Sequence, residues 1–450
     1  MTFSLPETPG DFAQATWAQV APYYDALATR PLDVNNVEAW LKDWSRLEEL
    51  VTEAAARAMI AYTVNTDDRE READHLRFST EVLPRMDEES VRLARRLLEL
   101  KYTRVDLLTM LERFRTQIAI FREQNVALFA ELEELGARYQ KITGGMMVEW
   151  DGRPLTLPQL APLLRDADRD VRERAFRLAA SPYLDREPEL AELFTRMYHL
   201  RQQVAHNSGF SNFRDFAFRS KFRFDYTPAD VERFHEAVEW VVAPAVERLR
   251  ERRRTRLHLD SLRPWDTQVD PFGQPALVPF ADVEDFKQKT QRVMQRVDPV
   301  LGRQFGVMID EGLLDLDTRK GKAPGGYCET LHFSGRPYIF MNAAGTLDDV
   351  MTLFHEAGHG FHAFAAHPLE LLWQRHPGME AAELASMSME LLASRYIELE
   401  HGGFFTPEQA ARAKVEHLED VLVSLAHIAS VDAFQTWVYT SGKGEDPVAG

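Results

Sequence analysis

The run Phe354-His355-Glu356-Ala357-Gly358-His359 sets two histidines four residues apart with a glutamate between them. On a helix, His355 and His359 lie one turn apart on the same face, so both can offer an imidazole nitrogen to one metal ion. Glu356 falls one residue further round, beside the ion instead of on it. Zinc held in this way acidifies water and polarises a carbonyl, and the neighbouring carboxylate takes the proton as general base. A catalytic zinc needs a third protein ligand. After the break at Pro377 and Gly378, residues 379–400 read as a helix on which Glu383, Met387, Glu390 and Ser394 share one face. Glu383 is the candidate third ligand, with Leu384, Leu391 and the nearby methionines expected to pack around it. Glu380, one turn earlier, is the next candidate. Glu390 suits a supporting role, orienting a ligand from behind, and His362 extends the histidine face as a supporting or packed residue. The plainer alternative is an amphipathic helix with exposed histidines and solvated acids.

The local sequence supports the helix. Thr346 with Asp349 three residues on forms a capping-box start, and Leu347, Val350, Leu353 and Phe354 supply an apolar face. No proline interrupts residues 347–366. Gly358 costs such a helix about 1 kcal/mol relative to alanine, so either a close approach or packing requires it.

The elements that must position this helix are themselves mostly helical. Over residues 89–142 apolar side chains recur every three or four positions with charged faces between them, as in packed amphipathic helices; no strict heptad is held. Asp151-Gly152 between short apolar runs signals a hairpin. Helical periodicity resumes over residues 157–256, residues 265–278 form a loop rich in Pro, Asp and Gly, and helices follow to about residue 312. The texture changes over residues 317–342, where a glycine-bearing loop through Gly325, Gly326, Tyr327 and Cys328 precedes a strand of Tyr, Ile and Phe from Arg336 to Asn342. The chain then reads as helical to about residue 440. These observations predict a mostly α protein with a small β-sheet beside the histidine helix, divided into an N-terminal helical domain, residues 1–200, and a catalytic domain, residues 201–450.

Composition narrows the partners. The 450 residues carry 53 Lys and Arg against 71 Asp and Glu, a net charge of −18 that argues against nucleic acid. The one basic cluster, Arg248 to Arg256, follows an apolar helix, where cations suit a helix C-terminus. A single cysteine, Cys328, makes no internal disulfide and has no evident histidine base, which fits a reducing, cytoplasmic setting. The N-terminus lacks a secretion leader, and no contiguous apolar run approaches the length of a membrane span, so no membrane partner is expected. Trp150, Trp240 and Trp373 read as core or channel-wall residues.

Together, Ala323 to Cys328, the strand ending in Asn342 with Gly345-Thr346, His355 to His359 and Glu383 to Ser386 resemble the thimet oligopeptidase and oligoendopeptidase F family. The resemblance is strongest to the oligoendopeptidase F branch, which Gly209-Phe210, Phe213 to Phe216 and Arg223 to Tyr226 also match; it covers roughly residues 190–440. It implies a two-lobed helical metallopeptidase with a deep substrate channel, and one zinc per chain held by His355, His359 and Glu383 with Glu356 as base. It implies cleavage of internal bonds in short unfolded peptides. It further implies that Tyr338 to Asn342 pairs with the substrate backbone and that Gly325, Gly326 and Tyr327 lie against it. A helical zinc carboxypeptidase, or a peptide-binding member with impaired catalysis, are the alternatives. The family continues into a helical stretch bearing His and Tyr residues, so the C-terminal end at residues 441–450 is expected to be incomplete relative to it.

Overall fold

A computed structural model of the chain describes residues 4–441; the expectation about the C-terminal end therefore lies outside the described residues, apart from Ser441. The N-terminal helices are α1 (Trp17–Thr29), α2 (Val37–Val64), α3 (Arg69–Leu76), α4 (Leu83–Glu99), α5 (Leu108–Ile120) and α6 (Val126–Gly144). A hairpin of β1 (Met147–Trp150) and β2 (Arg153–Thr156) follows, turned by Asp151 and Gly152 at positive φ, as the Asp-Gly signal predicts. Next come α7 (Arg169–Asp185), α8 (Glu187–Asn207), α9 (Phe213–Ser220), α10 (Pro228–Arg256), α11 (Val283–Val297) and α12 (Pro299–Asp310). A three-stranded sheet, β3 (Leu314–Asp317), β4 (Tyr327–Leu331) and β5 (Arg336–Ala343), leads into α13 (Leu347–Ala366), α14 (Met379–Ser394) and α15 (Pro407–Ser441).

Two apolar cores organise these elements. One joins Phe12, Tyr24, Trp40, Trp44 and Leu111 with Leu371 from the far end of the chain. The two buried indoles find partners for their N–H groups: Trp40 donates to Leu27 O at 2.9 Å and Trp44 to Glu48 Oε1 at 2.6 Å. Trp373 closes over Trp44 at 4.4 Å between centroids and packs, partly buried, against this core. Trp240, by contrast, is 81% exposed on α10 and is not a core residue. The second core gathers Phe286, Phe305, Ile339, Leu353, Phe354, Ala357 and Phe405 around the sheet and α13.

The sheet has the order β3-β5-β4, with β5 parallel to β3 and antiparallel to β4. Lys322, with no exposed side-chain surface, pins the preceding loop to it, donating to Asp315 Oδ1 at 3.0 Å, Asp317 O at 2.7 Å and Met341 O. Burial lowers its ammonium to about 8, Asp315 opposing the shift. Sequence periodicity misses β3 and extends α14 too far: it ends at Ser394, and a 3₁₀ turn with a short bridge precedes α15.

α15 also qualifies the expectation about apolar length. Residues 421–441 hold a single charged side chain, Asp432, so the helix is long and apolar enough by composition to cross a membrane. Its apolar residues are interspersed with Ser, Thr and Gln, which is why no contiguous run reveals it. In the fold it packs along α10 and α9, and Tyr439 stacks on Tyr198 at 5.7 Å.

Candidate active site

The site begins with the entry to α13. Thr346 Oγ1 accepts from Asp349 N at 3.4 Å while the Asp349 carboxylate receives Thr346 N at 2.7 Å, and Gly345 N and Ala344 N join it. This capping box sets the helix rotation. Val350, Leu353, Phe354 and Ala357 then turn into the core, which leaves His355 and His359 facing outward to a cleft. Gly358 is explained by packing: a Cβ there would stand 2.7 Å from Ser386 Cα, because α14 crosses α13 at that point.

That close crossing brings the third candidate into place. Glu383 Oε2 lies 3.1 Å from His355 Nε2 and 3.7 Å from His359 Nε2. Buried Ser386 donates to Glu383 Oε2 at 2.9 Å and fixes its direction. Glu390, one face along, bonds His355 Nδ1 at 2.7 Å, leaving Nε2 for the cleft. His417 of α15 stands 3.4 Å from the other Glu390 oxygen, a neighbour that no sequence spacing signals. The Glu383 side chain is 54% exposed, more open than the partly buried acid expected. Leu384 and Leu391 do not pack around it; they are 70% and 56% exposed, on a part of α14 that neither α13 nor α11 covers. Glu380 bonds Arg223 at 3.1 Å and Tyr226, which removes it from the histidines.

Electrostatics separates the groups. Burial pushes Glu356 up to about 7, Glu383 adding to the shift and His355 opposing it. Burial alone would lower His355, but the Glu390 hydrogen bond and the surrounding carboxylates raise it. His359 is lowered, burial first. Cys328 is pushed well above its ordinary value by burial and then by Glu356, which argues against a thiolate nucleophile.

The cleft, about 610 Å³, is lined by Gly326, by β4 from Tyr327 to Thr330 and by His355, Glu356, His359 and Glu383. His362 lies in its wall. His332 and His376 also line it, T-shaped at 4.7 Å, and burial lowers them to about 3 and about 4, so both are neutral near pH 7. Neither stood out in the sequence, because neither belongs to a spaced motif. Gly325 takes φ +91°, and a Cβ on Gly326 would press on Phe340 O at 3.3 Å and approach Glu356 Oε1 at 3.8 Å. Tyr327 stacks on Phe340 at 4.7 Å and shares a 2.6 Å hydrogen bond with Thr63 of α2. The expected pairing of Tyr338 to Asn342 with a peptide needs correction. They sit on β5, the central strand, whose edges are taken by β3 and β4, and Asn342 spends its amide on Ala323 O and Gly325 O at 2.9 Å each. Of the two outer strands of this sheet, β3 and β4, it is β4 that lines the cleft, and its far edge pairs with no described strand.

Known proteins resemble this chain along most of its length. Residues 162–448 match the model of Peptidase family M3, and residues 11–105 the Peptidase M3 N-terminal domain. The oligoendopeptidase F homolog of Borreliella burgdorferi is 23% identical over 292 residues, 62% of this chain and 47% of that protein. Oligopeptidase PepF of Bacillus subtilis is 25% identical over 159 residues, 34% of this chain and 22% of that protein. The matched stretches thus span less than half the length of these curated relatives. A solved structure named for oligoendopeptidase F superposes with a TM-score of 0.92 at 27% identity, covering 98% of this chain and 78% of that one. PZ peptidase A, solved with an inhibitor, gives 0.86 at 26% identity, covering 98% and 76%. With a family model matched over well more than half of the sequence, and the motif resemblance placed in one cleft, the chain belongs to peptidase family M3.

Proposed function

We propose that this chain is a metalloendopeptidase that hydrolyses internal bonds of short, unfolded peptides, with zinc held by His355, His359 and Glu383. The observation that carries the reading is the facing of three donor atoms, with Glu383 Oε2 at 3.1 and 3.7 Å from the two imidazole nitrogens. Tetrahedral ligands at 2.0–2.1 Å from zinc stand about 3.4 Å apart, so the donor set fits that ion. Two imidazoles and one carboxylate leave a coordination position free, as a catalytic site requires. When bound, zinc supplies Lewis acidity toward the scissile carbonyl and toward water.

The chain's own residues do the rest. Glu356, kept near neutrality by burial, accepts a proton from water and returns it to the leaving amine. Glu390 holds His355 by Nδ1 so that Nε2 faces the cleft. The open edge of β4 pairs with an extended peptide backbone, a mode that reads chain direction without demanding one side chain. Gly326 leaves room for that approach. We assign residues 1–200 and 201–450 to the two functional parts. The single cysteine supports a reducing, cytoplasmic setting.

The test incubates the zinc-loaded protein with a mixture of short peptides, with and without chelator, and reads products by mass spectrometry. Internal cuts that vanish with chelator and return with zinc are the expected result. Peptides amidated at the C-terminus must still be cut; loss of those cuts alone would favour the carboxypeptidase alternative. Stoichiometric zinc without any cut sinks the hydrolytic reading.

A further inference from the structure

A second cavity, about 680 Å³, opens among α2, α4, α5 and α6, with Ala55, Met59, Phe78, Leu83, Phe121 and Val126 on its walls. One residue lines both this cavity and the histidine cleft: Glu329, in the middle of β4. Side chains alternate along a strand. Cys328 turns to the α13 side, where it feels Glu356, whereas Tyr327 turns to α2 and bonds Thr63. Glu329 shares the Tyr327 face, and α2 forms the wall opposite it.

The Glu329 carboxylate makes no hydrogen bond and no ion pair with any described residue, although burial pushes it up to about 7. Asp87 and Glu133 line the same cavity and are also raised by burial, Asp87 to about 6. Two basic groups share the walls. Arg122 is committed to carbonyls, donating to Ala119 O at 3.0 Å and to Phe121 O at 2.6 Å, and the His75 imidazole is lowered by burial. An apolar chamber that ends in unpaired acids, one of them on the strand edge where a peptide would lie, has the chemistry to receive a cation on an aliphatic stem.

We propose that Glu329 is a specificity-determining residue, which draws an ammonium or guanidinium group of the peptide from the cleft into this second cavity. The proposal rests on the peptidase reading for its substrate class. The cation comes from a lysine or arginine side chain or from the peptide's amino terminus, and the test separates these sources.

The test uses zinc-loaded Glu356→Gln protein, in which bound peptide is not consumed, and titrates short alanine-based peptides by calorimetry. A single lysine is walked along the peptide and matched against norleucine at each position, with the amino terminus free or acetylated. The expected result is one position at which lysine binds about tenfold or more tighter than norleucine, with that preference gone when Glu329→Gln is added and reversed with Glu329→Leu. If acetylation alone abolishes binding, the amino terminus is the cation. Equal binding of all peptides, failure of all to bind, or a lysine preference that survives both Glu329 substitutions overturns the proposal. Wild-type protein run on the same peptides reports hydrolysis separately: cuts that depend neither on lysine nor on a free amino terminus sink Glu329 alone, and a binding preference without cuts sinks the peptidase reading alone.

Discussion

α13 carries two groups of side chains able to hold a metal, and they differ in what neutralises them. His355 and His359 meet Glu383 in the cleft; two turns earlier on the same helix, Asp348 meets Glu416 and Asp420 of α15. The second group has more charge, yet Arg165 stands among its acids with its side chain 8% exposed, bonding Asp348 at 2.8 Å and also Glu416. Among the described residues no arginine or lysine pairs with the first group, and each of its imidazoles offers one acceptor nitrogen when neutral. A count of acids therefore does not make a metal site. What decides is whether the fold has already supplied a cation.

The comparison breaks most sharply at the histidines. His359→Ala is expected to lose both zinc, measured by metal analysis after dialysis, and all chelator-sensitive hydrolysis. Glu356→Gln should keep one zinc per chain and lose about 10²–10⁴ in kcat, because the ligands remain and only the proton carrier goes. Zinc lost from Glu356→Gln would contradict the separation of roles. Glu390→Ala is the next step down. Without its bond to Nδ1, His355 is free to rotate, and zinc affinity in a competition titration should fall about 10- to 100-fold. No change in affinity would mean that α14 packing alone orients His355.

Much of this site is legible in the sequence because it is built from local rules. The Thr346 and Asp349 cap, the i, i+4 spacing of His355 and His359, and the face shared by Glu383 and Glu390 are all properties of single helices. What stays hidden is how elements meet. The crossing that forces Gly358 against Ser386 is a tertiary event, and so is the arrival of His417 behind Glu390. The sheet teaches the same lesson. Tyr338 to Asn342 reads correctly as a strand, yet its substrate-pairing role fails because strand order places β4 on the outside. Glu329 drew no attention, since a lone acid on a strand has no spaced partner. The exposure of Leu384 and Leu391 was invisible too, because helical periodicity gives a face without saying what covers it.

The acid-only cluster offers the reverse experiment. Arg165→Met removes the cation and leaves Asp348, Glu416 and Asp420 facing one another; Asp420 is already raised to about 7 by the surrounding protein and then by those two acids. Because the acids are partly solvated, the cost should be about 2–3 kcal/mol in denaturant unfolding, short of that for a fully buried pair. Millimolar calcium should restore part of the loss in the variant and none in the parent. Failure of the ion to help would mean that the cluster's geometry, and not only its arginine, forbids a metal.

Glu48 extends the comparison to a carboxylate given neither metal nor arginine. Buried on α2, it accepts from Trp44 Nε1 at 2.6 Å and Trp373 Nε1 at 3.1 Å as well as from Ser90, so donors alone stabilise it. They do not suffice: burial pushes it up to about 7, Asp87 adding to the shift. Between its unfolded value near 4.5 and its folded value, the folded chain holds a proton that the unfolded chain has released. Stability from this group is therefore complete below pH 4.5 and declines as pH rises, by about 2 kcal/mol from pH 5 to 7. Glu48→Gln keeps the shape and an acceptor oxygen but cannot ionise, so its unfolding free energy should lose that slope while the parent keeps it. Parallel pH profiles for the two proteins would show that the indole and hydroxyl donors neutralise a buried carboxylate as well as Arg165 does.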